Sequence, residues 1–161
     1  MGIALHEGYR GEAYVPVPGD RVTIGFGSTT RDDGTPVQFG DTTTPPRAMR
    51  KALADIEQKF ETPLRQCITA PLHQHEYDVF VSLTYNLGVG RFCASSMARL
   101  ANAGDYEGAC NAIRLYVCGP ATEDKRAKPG EQCYDLVRPL RVLPGLVNRR
   151  EAERKQCLGL S

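Results

Sequence analysis

An α+β fold is predicted by three features of this chain. One short β-forming stretch lies near the start, about five helical patterns follow it, and apolar residues are frequent enough to bury both. At 161 residues, 41% hydrophobic and 24% charged, the chain suits one soluble domain spanning 1–161. The expected arrangement is a small antiparallel β lobe over 13–42 joined by a long helix to a mainly helical lobe, 1–12 and 43–161, with a ligand cleft between them. No apolar run approaches the roughly 18 residues of a bilayer span. Twenty Lys and Arg against 19 Asp and Glu give a formal charge of +1, too even to mark nucleic acid as a partner.

Taken in order, His6 to Thr29 is the organising stretch. Glu7 stands at the end of a short helical start, Pro18-Gly19 signals a turn, and Val22-Thr23-Ile24 is a β-favouring run closed by Gly25-Phe26-Gly27. Asp33-Gly34 predicts a turn after the loop 28–33, and Thr35 to Phe39 is read as the partner strand. Thr44-Pro45 is a helix start, and Met49, Leu53, Ile56, Phe60 and Leu64 then recur three and four apart as one apolar face. Residues 73–87 are apolar nearly all round, the pattern of a helix at the centre of a bundle, and Gly88-Val89-Gly90 ends it. Ser95 and Asp105 cap two further helices, running through Leu100 and Leu115. Residues 119–143 read as an irregular insertion, and Pro144 opens a last helix rich in Arg and Glu.

Six cysteines, an even number, point to an oxidising compartment. No CxxC pair occurs, so the spacing does not predict a metal site, and His6, His73 and His75 form no metal set. Six cysteines allow 15 connectivities. The bridge favoured by the sequence is Cys118–Cys133, which would close the Pro- and Gly-rich excursion, while buried free thiols are the alternative for Cys93 and Cys110 in their apolar helical settings. The single helical turn before Glu7 is too short to hold an acid unaided, and it raises the expectation that an upstream segment has been removed.

The chemistry lies in the carboxylates. Glu7, beside Leu5 and Tyr9, is placed to be partly desolvated and protonated, while Asp20, in a polar turn beside Arg21, is placed to stay ionised. An acid and a base split in this way suit glycoside hydrolysis; an ordinary surface hairpin is the plain alternative.

Five blocks then occur in order: Glu7-Gly8; Ala13-Tyr14; Thr23-Ile24-Gly25-Phe26-Gly27; Tyr85-Asn86-Leu87-Gly88; and Gly145 to Arg150 with Glu153-Arg154. Together they resemble the phage-type, bacteriophage-T4-like lysozymes (glycoside hydrolase family 24), endolysins that cut bacterial cell walls. The resemblance runs from Glu7 to Cys157 and is weakest over 119–143. It implies a lysozyme-like fold and hydrolysis, with inversion and without metal or cofactor, of the β-1,4 bond between N-acetylmuramic acid and N-acetylglucosamine of peptidoglycan. The family's catalytic set is a Glu, an Asp and a Thr; Glu7 matches the general acid and Thr23 the Thr that helps hold the attacking water.

The family Asp falls where this chain has Pro16, and Asp20 is the only acid between Tyr14 and Thr23, so the role is expected to have moved to Asp20; shaping a turn after Gly19 is the alternative. Ser28 stands where relatives often carry His. Arg149 matches an arginine that pairs with the catalytic Glu, against simple pairing with Glu153 four residues on. Asn86 is read as a hydrogen-bonding partner of a sugar N-acetyl group, against a helix C-cap. The resemblance further implies a monomer acting in the periplasm on glycan strands, touching membrane only through a missing N-terminal signal-anchor segment. A cell-wall-binding homologue without catalysis and a chitin-active glycosidase are the rival readings.

Overall fold

The structure, a computed structural model, describes residues 8–160. The chain divides into two compact units, Met1–Arg65 and Gln66–Ser161. The predicted helical start before Gly8 lies outside the described residues.

In the first unit β1 (Arg10–Tyr14) pairs antiparallel with β2 (Thr23–Gly25), in a register that sets Arg10 opposite Gly25 and Tyr14 opposite Thr23. Five residues face three, so β1 bulges. Its other edge is covered by 41–43: Ala13 N–H donates to the Asp41 carbonyl and Thr43 N–H to that of Gly11. The partner of β2 is therefore β1 and not the Thr35 to Phe39 segment expected from the sequence. That segment is held as a turn, because Asp33 accepts from both the N–H and the hydroxyl of Thr35, and Pro36 brings no donor to a ladder. It keeps one isolated bridge, Thr30 to Pro36. The turn at Asp33-Gly34 forms as predicted, with Gly34 N–H bonded to the Arg31 carbonyl.

Helix α1 (Pro45–Ile56) starts at the predicted Thr44-Pro45 and runs on through a π turn (Glu57–Glu61) into α2 (Thr62–Cys67), within which the two units divide. Its buried residues are Ala48 and Ala52, whereas Leu53 is exposed. The apolar stripe is thus rotated from the one expected, for a steric reason. A Cβ on Gly25 would lie 2.9 Å from the Ala48 Cβ, so strand and helix meet through their smallest side chains. This close approach seats β2, and with it Thr23.

The second unit is helical. Helix α3 (Gln74–Leu87) buries Val79, Phe80, Val81, Leu83 and Thr84 and is the centre of that unit's core, as its all-round apolar pattern predicts. Glu76 accepts from the His73 N–H at its start, and Gly88, at φ 89°, closes its end. A short α4 (Val89–Cys93), unexpected in a stretch with Gly88 before it and Gly90 within it, brings Phe92 against Phe80 with ring centroids 5.4 Å apart. Helices α5 (Ser96–Asn102) and α6 (Tyr106–Ala112) begin at the predicted caps. The Ser95 hydroxyl accepts from Ala98 N–H, and the Asp105 carboxylate from Gly108 N–H. A 3₁₀ turn, Ile113–Leu115, completes the predicted run to Leu115.

The 119–143 stretch is not wholly irregular: β3 (Cys118–Pro120) pairs antiparallel with β4 (Leu140–Val142). Helix α7 (Pro144–Cys157) then packs on α3, on α6 and on the 3₁₀ turn. All six cysteines are bridged, Cys67–Cys93, Cys110–Cys157 and Cys118–Cys133. The favoured Cys118–Cys133 bridge is present. The free-thiol alternative for Cys93 and Cys110 fails, because each faces another cysteine with Cα atoms 5.6 Å apart, within bridging distance. An apolar helical setting reads alike for a buried thiol and a buried bridge.

Candidate active site

Glu7 lies outside the described residues. Thr23 is 5% exposed in β2, and its hydroxyl donates to the Arg21 carbonyl at 3.0 Å. With its one proton engaged there, this hydroxyl can take a further hydrogen bond only as an acceptor. Asp20 sits in the exposed turn 17–20, where its N–H bonds to the Val17 carbonyl and its Oδ1 accepts from Arg21 N–H at 2.8 Å. One carboxylate oxygen thus shapes the turn. Pro16 is exposed just before that turn. Asp20 and Thr23 accordingly flank Arg21, whose N–H and carbonyl fix one each.

Behind β2 lies a charged cluster that the sequence did not reveal. The Ser28 hydroxyl donates to Asp55 Oδ2 at 2.8 Å, and Lys51 Nζ bonds both the other oxygen of Asp55 and the Thr30 hydroxyl. Ser28 reaches this position because Gly25-Phe26-Gly27 folds into a tight hairpin that pairs Ile24 and Ser28 through both backbone bonds. Gly25 and Gly27 take the positive φ values the hairpin needs, 65° and 97°. Nearby, Arg31 makes a two-bond clamp on Asp41, at 2.8 and 2.9 Å, and that clamp lowers the Asp41 pKa to about 2.

In the second unit Asn86 is exposed near the end of α3 and donates its amide N–H to the Ser82 carbonyl at 2.7 Å. The cap of that helix is Gly88, not Asn86. Arg149 is half exposed and donates to Glu153 at 3.1 Å, the pairing given above as its alternative role. Its neighbour Arg150 is the buried one, 3% exposed, bonded to Glu153 at 2.6 Å and to the Tyr116 carbonyl at 2.9 Å. A helical charge run hides such a residue, although Arg150 stands seven positions before the buried Cys157 and so shares its helix face. Among the described residues no three His, Cys, Asp or Glu side chains are grouped to hold a metal ion, and no helix is long and apolar enough to cross a membrane.

Comparison with known proteins adds to this geometry. The phage lysozyme family model matches residues 4–153. The endolysin of Acyrthosiphon pisum secondary endosymbiont phage 1 is 30% identical over 155 residues, which cover 94% of this chain and 89% of that protein. The SAR-endolysin of Pseudomonas phage phiKMV is 31% identical over 158 residues, covering 98% and 84%. Among solved structures, the endolysin from Escherichia coli O157:H7 phage FAHEc1 is similar with a TM-score of 0.67 and 31% identity, over 97% of this chain and 87% of that one.

Proposed function

This chain belongs to the phage lysozyme family and is a glycoside hydrolase, an endolysin that lyses the bacterial cell wall, and from that premise we propose how its own residues carry the reaction. Glu7 acts as the general acid and gives its proton to the leaving glycosidic oxygen. Asp20 takes a proton from the attacking water, and the Thr23 hydroxyl accepts that water's second hydrogen, directing its lone pair at the anomeric carbon. Attack comes on the face opposite the leaving group, so the product inverts; two carboxyl groups about 6.5 to 9.5 Å apart leave room for the water. The bond cut is the β-1,4 link from N-acetylmuramic acid to N-acetylglucosamine.

The observation that carries this reading is the shared tether of Asp20 and Thr23 on Arg21. It supports the reading because one residue, Arg21, holds both the one acid of the 14–23 stretch and a hydroxyl whose proton is already engaged. Asp20→Asn is expected to keep the turn, since the amide oxygen still accepts from Arg21 N–H, and to lose 100-fold or more in lytic rate, the usual cost of removing a general base. A rate within about threefold of the parent would remove Asp20 from the mechanism. Pro16 supports a second reading, a wall-binding homologue with impaired catalysis, and clearing of a peptidoglycan suspension by the parent chain decides against it.

We further propose that Asn86 contacts a sugar N-acetyl group through its amide oxygen, and that Arg149 serves as an orienting residue in the reaction. The three disulfides and the likeness to a SAR-endolysin support work in the periplasm after release from a membrane anchor. Full-length protein found entirely in the cytoplasm on fractionation would contradict that placement.

A further inference from the structure

The first unit contains a cavity of about 330 Å³ that the proposed hydrolysis does not use, within the size range of small-ligand sites. Its floor is apolar, made by the buried Ile24, Val37 and Ala48. Its rim is charged with both signs, and the rim groups are not equivalent. Arg31 is clamped on Asp41, Lys51 is shared between Asp55 and Thr30, and Asp33 accepts from Thr35. Arg47 and Asp32 differ. They form one loose, exposed ion pair, with nearest atoms 3.9 Å apart, beyond hydrogen-bond length, and side chains 62% and 75% exposed.

Such a rim selects its ligand by exclusion. A phosphate or dicarboxylate would bring like charge to Asp32 and Asp33, a divalent cation would bring it to Arg31, Arg47 and Lys51, and a neutral sugar would engage neither charge of the loosely paired Arg47 and Asp32. A group carrying carboxylate and ammonium together meets none of these penalties. Its carboxylate fits the Arg47 guanidinium fork and its ammonium the Asp32 carboxylate, while a short aliphatic body covers the floor.

We propose that this cavity binds an amino-acid zwitterion on a short aliphatic chain. The cell-wall peptide stem displays that chemistry at the free end of a diamino acid. Ile24, which forms part of the floor, directly follows Thr23 in β2, so a stem held here would tie the substrate to the strand that bears Thr23. The cavity's ligand chemistry stands on its own geometry; the stem as its source rests on the cell-wall hydrolase reading.

Amide NMR titration of the full chain tests the cavity without depending on catalysis, using meso-diaminopimelic acid beside glutaric acid and 1,5-diaminopentane. The zwitterion should shift Ile24, Val37 and Ala48 with a Kd near or below about 1 mM, and the two single-sign compounds should bind about tenfold more weakly or worse. Arg47→Ala should weaken the zwitterion about tenfold at an unchanged melting temperature. No shift by about 10 mM, equal binding of all three compounds, or an Arg47→Ala titration matching the parent would each overturn the proposal. In hydrolysis, the ratio of kcat/KM for stem-bearing over stem-stripped glycan should fall about fivefold in Arg47→Ala, and an unchanged ratio removes the stem as the source of the ligand. Failure of the parent to cut either glycan would overturn the hydrolase reading, while the titration still decides the cavity.

Discussion

Asp55 is a carboxylate outside the proposed site whose surroundings take most of it out of water. Its side chain is 13% exposed and that of Lys51 is 17% exposed, and the Ser28 hydroxyl supplies a further hydrogen bond. Ser28 supplies a neutral hydroxyl there, and the positive partner comes from Lys51 one helical turn before Asp55. Lys51→Met would leave the carboxylate with the Ser28 hydroxyl in place of a charged partner, at a cost of about 3 kcal/mol, the low end for breaking a buried pair. Lys51→Met combined with Asp55→Leu should cost less than Lys51→Met alone, because no charge remains without a partner. Urea unfolding of the two variants checks both statements, and equal losses would mean that the pair contributes little. Residue roles of this kind were only partly legible in the sequence. The turn at Asp20 could be read from turn chemistry; the buried Arg150 and the Lys51–Asp55 pair could not, since a helical repeat shows which residues share a face but not which face is covered.

The elements were legible where a cap or a period marks them. Helices α3, α5, α6 and α7 start at the residues that cap or open them, and α3 is buried as its composition requires. Strands β1, β3 and β4 carried no such mark: Arg-Gly-Glu-Ala-Tyr lacks β-branched residues, and Cys-Gly-Pro reads as a break. The docking of α7 on the 3₁₀ turn supplies a prediction at this scale. Glu151 of α7 accepts from Arg154 on its own helix and from Arg114 on the turn, and these bonds, the one from Arg154 foremost, lower its pKa from 4.5 to about 2. A carboxylate whose folded pKa is depressed adds stability that is complete above its unfolded value and lost as pH falls through the folded one. The contribution of Glu151 is therefore full above about pH 5 and fades toward pH 2, and Asp41, clamped by Arg31, behaves likewise. The melting temperature should fall across that window, and Glu151→Gln should reduce the slope there while changing stability near pH 2 least. A parallel slope in Glu151→Gln would show that the pairing adds nothing to folding.

At the scale of the whole molecule, cysteine number indicates an oxidising setting, and the one bridge that spans an obvious excursion could be chosen from sequence. The other two could not, because Cys67, Cys93, Cys110 and Cys157 are brought together only by helix packing. The three bridges should contribute unequally. In the chain-entropy model, loops of 47, 26 and 15 residues constrain the unfolded chain by about 4, 3.5 and 3 kcal/mol, so Cys110–Cys157 ranks first and Cys118–Cys133 last. Burial widens the gap. Cys110 and Cys157 are each 1% exposed, so cutting both back to Ala also opens a void between α6 and α7, whereas Cys118 and Cys133 lie nearer the surface at the base of the hairpin insertion. Cys110→Ala/Cys157→Ala should thus lower the unfolding free energy by about 4 kcal/mol or more, against about 3 or less for Cys118→Ala/Cys133→Ala. Guanidinium unfolding of the oxidised variants measures the difference. Equal losses would mean that neither loop length nor burial governs these bridges, and a larger loss at the hairpin would make the 119–143 insertion, not the helical core, the part of the fold that the disulfides chiefly hold.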